Sequence, residues 1–138
     1  MAITLSPYLS FRGNAREAME FYAGVFGGKL TVTTFAEFHA SADPSEDVLV
    51  MHADLEGSGG IHFMASDVPA RMEYHAGSDF SMSLNGDDEA GLRRCFEQLS
   101  DGGTVMQPLA TAEWGATFGM CIDRFGIRWM VNIAAWRG

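Results

Sequence analysis

Hydrophobic residues recur along this chain with two periods, one of strands and one of helices, and the order in which they alternate runs twice. Thr4 to Phe11 mixes apolar and polar residues in near alternation, which predicts a strand. Ala15, Ala18, Met19, Tyr22, Val25 and Phe26 then follow the i, i+3, i+4, i+7 spacing of a helix with one buried face. Asn14 stands at its N-cap with Glu17 three residues on, the pattern of a capping box. Gly27-Gly28 stops the helix, because glycine accepts the left-handed conformation needed there. Lys29 to Phe38 is rich in Thr, Val and Phe and predicts a second strand. His39 to Asp47 is small and polar, is interrupted by Pro44, and reads as a loop. Val48 to Leu55 and Ile61 to Ala65 predict two more strands, joined by the turn Glu56-Gly57-Ser58-Gly59-Gly60.

The same order returns after a connection over Ser66 to Ser78. Phe80 to Leu84 alternates as a strand, and Asp87 or Asp88 caps a helix striped by Leu92, Cys95, Phe96 and Leu99. Gly102-Gly103 stops that helix. Thr104 to Ala112, Thr117 to Ile122 and Ile127 to Ile133 predict three strands, with Asp123-Arg124-Phe125-Gly126 as the hairpin turn between the last two. At an offset of 75 residues Leu9 meets Leu84, Ala15 meets Ala90, Phe21 meets Phe96, and the Gly-Gly pair recurs. The expected architecture is α+β: one domain over residues 1–138 built from two tandem βαβββ modules, about 1–68 and 78–138.

Composition narrows the function classes. The net charge is −9 at pH 7 and no Lys or Arg cluster stands out, which argues against nucleic acid and anionic membrane as partners. No stretch approaches the roughly 20 apolar residues of a membrane span, and the N-terminus does not have the form of a signal peptide, so the expected address is cytoplasmic. Cys95 and Cys121 sit outside any Cys-x-x-Cys motif and read as free core thiols.

Several phrases carry a resemblance. Pro7-Tyr8-Leu9-Ser10-Phe11-Arg12-Gly13-Asn14-Ala15 is followed by Glu20-Phe21-Tyr22 and Val25-Phe26-Gly27-Gly28. Further on stand Met64-Ala65-Ser66-Asp67, Gly102-Gly103, Trp114-Gly115 with Phe118-Gly119, and Asp123-Arg124-Phe125-Gly126-Ile127-Arg128-Trp129-Met130. Together they resemble the PhnB-like branch of the vicinal oxygen chelate superfamily, which includes glyoxalase I, extradiol dioxygenases, and the fosfomycin and bleomycin resistance proteins. The resemblance spans essentially the whole chain. It implies modules that each curl a sheet into half a barrel, a cleft between them, and a homodimer. It also implies that metal-dependent relatives place His and Glu or Asp ligands on the first and last strands of the modules.

At those positions this chain departs from the pattern. They fall near Ser6, Pro7 and Tyr8, near Ser81, Met82 and Ser83, and near Trp129, Met130 and Val131, with Pro7, Ser81 and Met130 as the central expectation. Of the neighbouring strand residues, His62 alone offers a donor. One histidine and some hydroxyls do not make a tight site for zinc, iron or manganese, so no metal and no cofactor is expected. The cleft residues expected to bind a small, partly apolar or aromatic molecule are Tyr8, His62, Ser81, Ser83, Trp114, Phe118 and Trp129. Met51, Met64, Met82, Met106, Met120 and Met130 supply adaptable apolar lining. His62 is the one candidate for acid–base chemistry. His39, His52 and His75 read as ordinary strand or loop residues. The alternatives are an enzyme acting on a small oxygenated substrate, through a degenerate metal site or through His62, and a dimer without a ligand.

Overall fold

The computed structural model describes residues 5–38, 43–70, 72–74, 80–111 and 115–134. Two compact units divide the chain, Met1–His75 and Ala76–Gly138. The first contains strand β1 (Tyr8–Phe11), helix α1 (Ala15–Phe26) and strands β2 (Lys29–Thr34), β3 (Val50–Glu56) and β4 (His62–Asp67). The second contains β5 (Met82–Gly86), α2 (Glu89–Ser100), β6 (Thr104–Thr111), β7 (Thr117–Ile122) and β8 (Arg128–Ile133). Each unit is an open four-stranded mixed sheet, ordered β1-β4-β3-β2 in one and β5-β8-β7-β6 in the other. In each, the first and last strands pair in parallel and the other pairs are antiparallel. The βαβββ order expected of both halves is the order observed.

The helices cover one face of their own sheets. In the first unit Tyr22 and Phe26 meet Phe63 of β4 edge-on, with centroids 5.6 and 6.1 Å apart. Phe63 lies opposite Leu55, and Ala65 lies between Leu9 and Ala53, so these residues form the buried side under α1. In the second unit Phe96 and Leu99 of α2 are buried, and a Cβ added at Gly119 of β7 would stand 3.0 Å from the Phe96 ring. Gly119 pairs with Val131 and Cys121 with Trp129, which fixes Val131, Trp129 and Ile133 of β8 on the α2 side.

The glycine pairs recur for a packing reason. A Cβ at Gly28 would lie 2.0 Å from the Glu56 carbonyl oxygen, and one at Gly103 would lie 2.1 Å from that of Ile122. In both units the second glycine of the pair lies against the end of the third strand. Only a residue without a side chain fits there.

Several elements differ from the sequence expectation, among them β3, which starts at Val50, and β5, which runs over Met82–Gly86. Strand β1 starts at Tyr8, with Leu5 to Pro7 outside the ladder. Strand β2 ends at Thr34, where a bulge intervenes, and Ala36–Phe38 form a short 3₁₀ turn held by Glu37 accepting from the Thr34 amide and hydroxyl. Strand β4 runs on to Asp67. Asn14 makes no side-chain capping bond. The start of α1 is capped instead by Asp67, whose Oδ1 accepts from the amides of Gly13 (2.9 Å) and Ala15 (3.0 Å) while Oδ2 accepts from that of Val50 (2.9 Å). Helix α2 is capped locally, Asp88 accepting from the Gly91 amide.

Candidate functional site

Each sheet has a second face, turned away from its own helix, and register assigns its residues. Met64 of β4 lies between Tyr8 of β1 and Asp54 of β3. His62, Ser66, His52 and Ser10 share this side by alternation along their strands. Two hydrogen-bonded pairs border Met64. The Tyr8 hydroxyl is 3.1 Å from His52 Nδ1, with the rings 5.7 Å apart and tilted. His62 Nε2 is 3.1 Å from Asp54 Oδ2, and His62 Nδ1 lies 3.5 Å from the Ser6 hydroxyl. The two histidines share a face on adjacent strands, yet each is engaged with a different partner. The side chains are half-exposed, His62 at 40% and Asp54 at 27%.

The same row in the second unit carries different chemistry. Met130 of β8 lies between Ser83 of β5 and Met120 of β7, and Asn132 lies between Asn85 and Phe118. Taken row by row, Tyr8, Met64 and Asp54 correspond to Ser83, Met130 and Met120, while His52 corresponds to Phe118 and His62 to Arg128. The central methionine is kept. Around it one unit is titratable and the other is apolar and amide-rich. Ser83 donates to the Asn85 side-chain oxygen at 3.2 Å. Among the described residues the Asn132 side-chain oxygen is buried without a hydrogen-bond partner, a state that costs about 1–3 kcal/mol.

These positions settle where the expected ligand residues lie. Tyr8 and His62 share the helix-free face of the first unit, and Ser83 and Phe118 that of the second. Ser81 is exposed, one residue ahead of β5. Trp129 is on the other side of its sheet. It is 2% exposed, under α2, and its indole N–H donates to Asp123 Oδ2 at 2.8 Å. The reason is parity: Trp129 and Met130 are adjacent in one strand and must point oppositely. Trp114, with His39, His75 and Trp136, lies outside the described residues.

Asp54, His52 and Ser6 escaped the sequence reading as site residues. The signal for Asp54 was present in the glycine hairpin, which pairs Glu56 with His62 and thereby aligns Asp54 with Met64. Arg12 donates to the Met72 carbonyl and stacks over Tyr74, Arg124 donates to the Asp101 carbonyl, and Arg128 opens β8.

The donor set does not suit a divalent ion. The first-strand and last-strand positions hold Tyr8, Ser83 and Met130, and among the described residues no three His, Cys, Asp or Glu side chains are grouped to hold a metal. Two shallow recesses lie on the units. One of about 390 Å³ sits at the β3–β4 turn, lined by Glu56 and by His62 of the polar pair. The other, about 500 Å³, runs between α2 and β6 beside Phe96 and Val105.

Comparison with known proteins agrees with this architecture. The profile of a family described as 3-demethylubiquinone-9 3-methyltransferase matches residues 3–132. Protein YjdN of Escherichia coli K12 is 29% identical over 94% of this chain and 94% of its own. The crystal structure of protein PA1353 from Pseudomonas aeruginosa is 39% identical, covers 98% of this chain and all of its own (100%), and superposes with a TM-score of 0.82. A structure described as a PhnB protein from Bacillus cereus shares the fold at 23% identity, with 96% and 100% coverage and a TM-score of 0.71. No described helix is long and apolar enough to cross a membrane. The chain therefore belongs to the family described as 3-demethylubiquinone-9 3-methyltransferase, and is a PhnB-like protein with the glyoxalase/bleomycin resistance/dioxygenase fold.

Proposed function

We propose that this protein binds a small, partly apolar molecule on the helix-free faces of its sheets, without a resident metal ion. The observation that carries this is the paired row of side chains. Each face centres on a methionine, and polar groups stand beside apolar ones within one strand spacing. Thioether and phenyl groups at Met64, Met120, Met130 and Phe118 supply adaptable contact area. Tyr8, His52, His62, Ser83 and Asn85, with the unpaired Asn132 oxygen, supply directional hydrogen bonds. A homodimer is the assembly we propose alongside, on the fold's analogy and on the exposed apolar residues Phe80, Val105 and Met106.

Calorimetric titration of metal-stripped protein with monocyclic and fused-ring aromatic compounds tests the binding. Binding is expected, and Phe118→Ala should weaken it about tenfold at the second unit's face through the lost ring contact of about 1–1.5 kcal/mol. Binding seen only after zinc, manganese or iron is added would contradict the metal-free reading.

A further inference from the structure

We propose that the first unit recognises an acidic hydroxyl group, a phenol or an enol, by taking its proton onto His62. The proposal rests on the ligand face described above and names the chemistry of the ligand's polar end. His62 Nε2 is 3.1 Å from Asp54 Oδ2, and a carboxylate has no proton to give, so Nε2 carries the hydrogen. Nδ1 is then the lone-pair atom. Among the described residues its hydrogen-bond neighbour is the Ser6 hydroxyl at 3.5 Å, the outer limit of a hydrogen bond, so a ligand oxygen can replace it.

The charges around His62 select for a neutral acid. Asp54 accepts from it, Glu56 lies directly across the β3–β4 pair, and Lys29 lies across from Glu56 on β2. Tyr8 and His52 flank Met64 on the far side, joined to each other. A carboxylate or phosphonate arriving already ionised would be repelled by Asp54 and Glu56 and by a chain of net charge −9. An aliphatic alcohol is too weak an acid to yield its proton to an imidazole. Only the more acidic phenols and enols, such as nitrophenols and the enols of 1,3-dicarbonyls, combine a neutral form with ionisation near the range in which imidazole accepts a proton. The O–H bond breaks, an N–H bond forms at Nδ1, and the electron pair stays on the ligand oxygen. The imidazolium so formed lies between Asp54 and the new oxyanion, and nothing is oxidised or reduced.

p-Nitrophenol reports the step directly, since its phenolate is yellow, and 4-nitroanisole is its analogue without the proton. With the full metal-free chain, bound p-nitrophenol should ionise about one pH unit below the free compound, a shift of about tenfold in the ionisation equilibrium. H62Q and D54N should abolish the shift and S6A should keep it, with 4-nitroanisole binding to the unaltered chain as the control for the ligand face. Binding of p-nitrophenol with no shift, or a shift that survives in H62Q, overturns the proton transfer alone. Failure of both probes to bind overturns the ligand face together with it.

Discussion

Replacing Asp67 by alanine should cost this protein a large share of its stability, through bonds that tie three separate segments together. Asp67 is 3% exposed at the end of β4. Its two oxygens accept from the amides of Gly13 and Ala15 at the start of α1 and of Val50 at the start of β3. Hydrogen bonds to a charged group contribute about 1.5–3 kcal/mol each, and a buried donor left unpaired costs about 1–3 kcal/mol. Alanine would orphan three donors at once. Relaxation and the removal of a buried charge offset part of this, so the expected loss is about 3–5 kcal/mol. With an unfolding entropy that scales to about 0.3 kcal/mol/K for a chain of 138 residues, the melting temperature should fall by about 10–17 °C. Asparagine retains one acceptor oxygen for Gly13 and Ala15 but turns an N–H₂ toward the Val50 amide, so Asp67→Asn should lose roughly half as much. Urea denaturation monitored by circular dichroism measures both variants. A loss under about 1 kcal/mol for alanine, or equal losses for the two variants, would refute the capping role.

The other predictions test separate parts of the account. Gly28→Ala and Gly103→Ala should both destabilise severely, by about 2 kcal/mol or more, because the added methyl meets a backbone carbonyl at 2.0 and 2.1 Å; tolerance at either would break the equivalence of the two units. Trp129→Phe should cost about 1 kcal/mol in thermal unfolding by removing the buried indole N–H bond to Asp123 Oδ2. Burial pushes the thiols of Cys95 and Cys121 up, so at mildly alkaline pH each holds less thiolate than a free cysteine and labelling by a disulfide reagent should be slow, speeding as pH rises. Cys121, 1% exposed, should stay unlabelled until the protein unfolds, and prompt labelling of both thiols would contradict the packing of α2. Light scattering on a sizing column should give twice the chain mass, and a monomer at all concentrations would remove the proposed dimer.

The order of elements was legible because each signal was local. Stripes such as Ala15, Ala18, Met19 and Tyr22 are buried as spaced, and the glycine pairs end both helices. What the sequence obscured was long-range. The α1 cap comes from Asp67, more than 50 residues from Asn14, and no local pattern announces it. Trp129 carried the aromatic signal of a ligand residue, but its strand parity puts it under α2 and gives the helix-free face to Met130. Asp54 looked like one acid among many until the β3–β4 pairing set it beside Met64 and His62. The family phrases were readable because they are contiguous, whereas the polar pairs are assembled from three strands.

The central claim is that ligands lie on the helix-free faces, and methyl NMR of methionine-labelled protein tests it most directly. The chain has 9 methionines, of which Met64, Met120 and Met130 sit on those faces by register and Met19 is fully buried on the inner face of α1. Titration of metal-stripped protein with 4-nitroanisole should move the methyl signals of the face methionines and leave Met19 in place. Binding that leaves Met64, Met120 and Met130 unmoved would contradict the account.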